Sequence, residues 1–505
     1  MSIYPAAGVE WIDKMALSQN LIPMRWPSGP VEISRRQKSE GFTPQARQTL
    51  ARWHEPAALE LLKDTPVNCL VISWAAGLPE DAEQQNTAAR LVAEANRRNI
   101  SVVGWVEGTA DHNAAIGAAQ AAGLSAVAIQ GFKGKPDPLV IAWGDRAGVP
   151  WDSAAPVLPI TGNVWPGVAG RQDSGTSAGP TGVPWLDSNG WYIQLARARA
   201  RSDIWVMFDP PGGRSVVPAQ SYTMAVCDSE AAGGRWVISL DDSLRGRLLE
   251  GENAAQQAWK GIAVATAFFQ KHSAWKSYRP LGNVGVISDF SGGNFDVSGE
   301  ILNLMSRKGA LYQVVWEQTA GAQPFTGLKA LVYADGAPPS SELRQKILAF
   351  VASGGLLVTG PKWGSEGKSL GPDVHPRFDV RALGKGRLAV AKEDLDDPYQ
   401  IAIDAQILLS HANDQVRLFG GGASGGYHLT GPADGKSALL QLLTYASARG
   451  TRQMAVWVDR NVRGNRLWSI QAAEPAPATQ VAGEYGGTEF HVGSMPAYAA
   501  LELTV

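Results

Sequence analysis

Asn68-Cys69-Leu70-Val71-Ile72-Ser73-Trp74 is a continuous apolar run closed by Ala75-Ala76-Gly77. A strand buried on both faces reads this way, and Cys69 within it packs as a small hydrophobe. The pattern spreads outward from this run. Upstream, residues 22–26 form a shorter apolar strand that ends in Arg25-Trp26-Pro27. Downstream, alanine, leucine and charges recur at helical spacing over 81–98. A strand over 101–106 follows and ends in Trp105-Val106-Glu107-Gly108. A short helix over 113–122, a strand over 124–129 and a strand over 157–160 continue the alternation.

The stretch 161–181 is rich in Gly, Pro and Ser and reads as a long loop, a length usually kept for function. Trp185-Leu186-Asp187-Ser188-Asn189 then opens a helix to about residue 200, with Asp187 or Ser188 as N-cap. Strands over 204–208 and 236–240 end in Asp209-Pro210-Pro211 and Asp241-Asp242. Helices over 218–232 and 254–275 complete the half. Strands alternating with helices imply a parallel sheet. About seven strand candidates precede residue 280, against eight in a closed (β/α) barrel. Residues 1–278 therefore read as a (β/α) barrel that is incomplete or hides a strand in the Gly-rich loop. An open doubly wound sheet is the competing reading.

At Pro280 the pattern restarts: strand 284–288, helix 297–308, strands 311–316 and 330–334, helix 340–353, strand 356–359. Gly384-Lys385-Gly386-Arg387 leads into a further strand, and 396–410 into a last helix. Residues 279–415 read as a flavodoxin-like α/β domain. Helix signals end with 439–446. Short strands over 455–458, 466–470, 488–492 and 497–503, separated by Gly, Pro and Asn turns, make 416–505 a small antiparallel β-domain.

The totals narrow the function classes. The chain has 505 residues, too many for one core. A net charge of −2 gives no electrostatic ground for a nucleic-acid partner or an anionic membrane. Two cysteines, Cys69 and Cys227, make no disulfide framework, and the seven histidines show no zinc-site spacing. No metal and no organic cofactor is expected. The N-terminus as given carries no leader, which points to the cytoplasm, or to export if a leader was removed.

The order of parts resembles barrel-type glycoside hydrolases in which a barrel precedes a glutamine-amidotransferase-like domain and a short β-domain. The beta-galactosidase family with a trimerisation domain is the known example. Arg279-Pro280-Leu281-Gly282-Asn283-Val284-Gly285-Val286-Ile287-Ser288-Asp289 carries the resemblance, with 350–360, 384–391 and 497–503. It implies a carbohydrate substrate and, by analogy with trimers formed through the middle domain, a homo-oligomer. Working amidotransferases need a nucleophilic cysteine, and none occurs after Cys227. The middle domain is therefore expected to be a scaffold or an assembly module.

Ligands meet parallel barrels at the C-terminal ends of the strands. The residues there are Arg25, Trp26, Trp74, Glu107, Gln130, Asn163, Trp165, Asp209, Asp241 and Asp242, with Trp105 next to one end. Glycoside hydrolysis needs two carboxyl groups across the scissile bond. Asp209 is expected as nucleophile or base and Glu107 as acid, with Asp241 the first substitute for either. Arg25, Trp26, Trp74, Trp105, Asn163, Trp165, Asp187 and Asp242 are the expected substrate contacts, the tryptophans as platforms for a sugar ring. Each has a plain alternative: Asp241 or Asp242 as a helix cap, Glu107 as an arginine's partner, the tryptophans as core. A barrel that binds glycan without cleaving it is the alternative function. The segment Ser291-Gly292-Gly293-Asn294 is a weak phosphate-site candidate.

Overall fold

The computed structural model describes residues 21–39, 42–135, 137–169, 185–211, 217–321, 325–420, 425–445, 454–483, 486–493, 495 and 497–504. Contacts divide the chain into two compact units: Met1–Trp165 with Ala200–Ser273, and Pro166–Arg199 with Ala274–Val505.

The first unit holds strands β1 (Pro23–Trp26), β2 (Cys69–Ala75), β3 (Ser101–Val106), β4 (Ala126–Gln130), β5 (Val140–Trp143) and β6 (Val157–Thr161). The hairpin β7 (Gly167–Ala169) and β8 (Trp185–Asp187) belongs to the second unit, and β9 (Asp203–Met207) and β10 (Arg235–Trp236) return to the first. Strands β1 to β5 form one five-stranded sheet, and β6, β9 and β10 form a three-stranded one. Every pairing within these two sheets is parallel. Single parallel bridges join their edges, Gly144 to Ile160 and Met24 to Ile238. Main-chain pairing thus passes through all of these strands and returns to the first.

Period-two alternation sets the inward face. Cys69, Val71, Val103, Trp105, Ala126, Ala128, Ile141, Trp143, Val157, Trp205, Met207 and Val237 form one buried cluster. Burial pushes the Cys69 thiol up to about 12, which keeps it protonated and inert. Alternate residues face the helices. Trp74 is fully buried there, and Gly104 lets it lie close: a Cβ on Gly104 would stand 2.8 Å from Trp74 Cγ.

The structure corrects several local readings. Val140–Trp143 is a strand, although the sequence pattern does not mark one there. The expected strand over 236–240 is paired at Arg235–Trp236 and by the one bridge of Ile238. Helices Gly29–Arg36 and Pro44–Trp53, each with proline in its first turn, were not anticipated. Residues 161–181 are not a plain loop, because β7 pairs antiparallel with β8; residues 170–184 lie outside those described. Trp185–Asp187 is accordingly strand, and the helix starts at Gly190.

In the second unit, β11 (Arg279–Pro280) precedes β12 (Val284–Ser288), β13 (Tyr312–Trp316), β14 (Ala330–Tyr333), β15 (Leu356–Thr359), β16 (Lys368–Ser369), β17 (Phe378–Leu383) and β18 (Gly386–Ala391). From β12 to β18 they form a seven-stranded sheet, ordered β13-β12-β14-β15-β18-β17-β16. Pairing is parallel as far as β18 and antiparallel at the β17 and β16 edge. The remaining strands are β19 (Val416–Gly420), β20 (Gly425–Gly431), β21 (Ser437–Thr444), β22 (Met454–Val458), β23 (Gly464–Ser469), β24 (Thr479–Ala482), β25 (Thr488–Gly493) and β26 (Tyr498–Thr504). They form two antiparallel sheets, β11-β20-β21-β26-β23 and β19-β22-β25-β24. Leu429, Leu440 and Leu442 of one meet Val456, Val458 and Phe490 of the other in a common core. The helix expected over 439–446 is instead β21, whose run Ala438–Leu443 is wholly buried.

Candidate functional site

The site is built on the C-terminal ends of the first unit's strands. Arg25 lies near the end of β1, paired in register with the inward-facing Val71. The chain then turns at Ser28 into the helix Gly29–Arg36, which carries Glu32, Arg35 and Arg36 on adjacent turns. Glu32 is nearly buried: its Oε2 accepts from Arg35 Nη1 at 2.9 Å and from Ser73 Oγ at 3.2 Å. Arg35 Nη2 then meets Glu107 Oε1, just beyond β3, at 3.1 Å. An alternating acid–base row thus crosses the ends of the first three strands. Buried Gln84 fixes its base, donating to Ser73 O at 2.6 Å and accepting from Val31 N at 3.2 Å.

Beyond β9 stands Asp209, two-thirds exposed. Its Oδ1 accepts from Ser239 Oγ at 3.0 Å and lies 3.8 Å from Arg25 Nε. The Arg25 guanidinium sits 5.5 Å from the centre of the Trp105 ring. Trp105 in turn stacks on Trp143, centroids 4.0 Å apart. Arg25 and Asp209 thus meet at one set of strand ends and Arg35 and Glu107 at another, supported by Glu32, Ser73 and Ser239, which sequence reasoning missed, while Trp105 and Trp143 are buried in the core beneath, which corrects Trp105 from platform to core. The one available signal was the Glu32 and Arg35 spacing, and it reads as a solvated helix pair.

Several other expected site residues serve the fold. Trp26 is fully buried, stacked 4.2 Å from Trp53, and its indole N–H donates to Trp53 O at 2.7 Å. Trp74 is equally buried and donates to Ala115 O at 3.0 Å. Neither offers a ring face to solvent, so both are corrected to core. Trp165 packs edge-on against Tyr222 and Trp236, at 5.4 and 5.5 Å. Asn163 lies half-buried after β6. Asp187 is on β8, and its side chain lies outside the described residues.

Asp241 caps the helix Asp242–Leu249, accepting from Leu244 N at 2.7 Å, while its Oδ2 accepts from Tyr222 O–H at 2.6 Å. Both of its oxygens are used inside the fold. Asp242 accepts from Arg36 Nη1 at 2.8 Å and also pairs with Arg245, itself buried and donating to Pro27 O at 3.1 Å. Burial raises the pKa of Asp242, but the Arg36 and Arg245 contacts outweigh it and hold the carboxyl below the usual carboxylate range. A depressed carboxylate stabilises the fold above its unfolded pKa of about 3.9, and that stabilisation disappears as pH falls through the folded pKa. The difference in melting temperature between the protein and Asp242→Asn should thus be full at neutral pH and shrink below about pH 4. Thermal scans across pH check it.

In the second unit, Asp289 occupies the place considered for a phosphate. It accepts from Ser291 N at 2.9 Å, Ser291 Oγ at 2.8 Å and Asn294 Nδ2 at 3.1 Å. Burial opposes its charge, but these bonds hold its pKa low. A fixed anion there repels a second one, which removes the phosphate reading. A cleft of about 190 Å³ opens beside β14 and β15, lined by Asp335, Thr359, Lys362 and Asp396. Its aromatic side chains, Tyr333 and Trp363, are each only 3% exposed, so it offers no platform for a sugar. The mouth of the first unit has the better chemistry.

Among the described residues no group of three or more His, Cys, Asp or Glu side chains could hold a metal ion. No helix there is long and apolar enough to cross a membrane.

This is a mixed α/β chain with parallel sheets and an acidic, arginine-rich mouth at the strand ends. No protein-family model and no curated protein sequence matches it. Solved structures do. An alpha-L-fucosidase isoenzyme 2 from Paenibacillus thiaminolyticus is similar over 96% of this chain and 100% of its own, at 11% identity and a TM-score of 0.55. A beta-galactosidase from Bacillus circulans sp. alkalophilus aligns over 85% of this chain and 68% of its own, at 10% identity and a TM-score of 0.37. A rhamnosidase from Novosphingobium sp. PP1Y aligns over 83% and 39%, at 12% identity and a TM-score of 0.41. At these identities the likeness is one of fold, and only the fucosidase carries weight in it.

Proposed function

We propose that the first unit is a closed (β/α) barrel and that the protein is a glycoside hydrolase with its site at the mouth. The observation that carries this reading is that two carboxylates, Glu107 beside Arg35 and Asp209 beside Arg25, both stand just beyond C-terminal ends of the first unit's parallel strands. The fold shared with a fucosidase over 96% of this chain and all of that one agrees with it. Residues 279–415 act as a scaffold or assembly domain and 416–505 as a small β-domain, with a homo-oligomer as the working assembly.

The reaction is acid/base cleavage by paired carboxylates. Asp209, exposed and oriented by Ser239 and Arg25, serves as nucleophile or base. Glu107, oriented by Arg35, serves as acid to the departing oxygen. Asp241 no longer stands as first substitute, because capping and Tyr222 occupy it.

Leaving-group dependence tests the assignment. Loss of a general acid costs about 10²–10⁴-fold where the departing oxygen needs a proton. Glu107→Gln should therefore lose about that much on an unactivated oligosaccharide and far less on a dinitrophenyl glycoside. An equal loss on both substrates removes Glu107 from the acid role. Tight glycan binding without turnover of either substrate by the unmodified protein favours a barrel that only binds glycan.

A further inference from the structure

Arg25 stands out at this mouth. Its side chain is 19% exposed, yet among the described residues its carboxylate partner is Asp209 Oδ1, at 3.8 Å from Nε, and that side chain is 67% exposed. Among the described residues its side-chain N–H groups make no hydrogen bond to the protein. The neighbouring arginines differ. Arg35 meets Glu32 and Glu107, and Arg36 meets Asp242, at 3.1 Å or closer. A guanidinium carries five donors in a fixed planar fork that matches an oxyanion with two parallel bonds. Removing such a cation from water without acceptors is costly unless a ligand supplies them. Arg25 is also fixed in place: its main-chain N–H donates to Ile238 O at 2.8 Å, and its guanidinium lies over Trp105.

We infer that Arg25 is a specificity-determining residue that binds an oxyanion on the substrate, so the sugar the mouth accepts is acidic, bearing a carboxylate or a sulfate. The inference rests on the glycoside-hydrolase reading for the word substrate, but the binding it describes does not need turnover. The cation lies beside Asp209 and screens that carboxylate from the ligand's own negative charge.

Titration calorimetry on the full chain tests this, with glucuronate, galacturonate and galactose 6-sulfate set against glucose and galactose. The expected result is at least about tenfold tighter binding of one acidic sugar over its neutral counterpart, the scale of one charge-assisted pair. Uronate and sulfate arms separate the two oxyanions. Arg25→Gln should abolish the preference, and Arg25→Lys, which keeps the charge without the fork, should restore it in part. The comparison of sugars on the unmodified protein stands even if a variant fails to fold. Equal binding of acidic and neutral sugars overturns the inference. Preference for acid without hydrolysis of any glycoside leaves the inference intact and sinks the hydrolase reading. Hydrolysis of neutral glycosides with no acid preference does the reverse.

Discussion

Asp209→Asn should lower turnover of every glycoside the protein cleaves by about 10³-fold or more, activated and unactivated substrates alike. The loss is uniform because the proposed mechanism has Asp209 act on the sugar side of the scissile bond, where the quality of the leaving group does not help. This pattern separates it from Glu107→Gln. Stability should hardly change. The side chain is 67% exposed and accepts one hydrogen bond from Ser239, so the isosteric amide shifts the fold by no more than about 0.5 kcal/mol. Steady-state kinetics beside a melting curve checks both parts. A variant that melts normally and retains more than a tenth of the activity takes Asp209 out of the reaction.

Trp26→Ala should cost about 3–5 kcal/mol of stability, the usual range for a large aromatic removed from a core. Trp26 is wholly buried, stacks on Trp53, and satisfies the Trp53 carbonyl with its indole N–H. The substitution empties a large volume and leaves that carbonyl without its partner. Typical domains are stable by about 5–15 kcal/mol, so a large share of the fold's margin is at stake. Denaturant titration should show a lower midpoint at unchanged slope. A shift below about 1 kcal/mol would mean that the indole faces a ligand, as the sequence alone allowed.

Trp26 also shows where sequence reading stopped. The parallel α/β character was legible because the strand 69–75 is apolar at every residue but Ser73 and helices of 3.6-residue period alternate with such strands. The restart near Pro280 was legible for the same reason. Val140–Trp143 was missed because four residues carry too little pattern to separate strand from loop. The stretch 439–446 reads as helix because a strand buried on both faces and a buried helix look alike over a short, mostly apolar run. At the site, strand-end position located Arg25, Glu107 and Asp209. It could not say which tryptophan rings point outward, since Trp74 and Trp105 lie one pleat apart on opposite faces of their strands. Glu32 and Ser239 were beyond reach, because their roles depend on partners distant in sequence.

The central claim is that the mouth of the first unit cleaves glycosidic bonds. The most direct measurement is release of aryl alcohol from a panel of neutral and acidic aryl glycosides by the unmodified protein, run beside Asp209→Asn. The account predicts release from at least one member of the panel, lost in the variant. Release that persists undiminished in Asp209→Asn, or sugars that bind this mouth while no glycoside in the panel is cleaved, would contradict it.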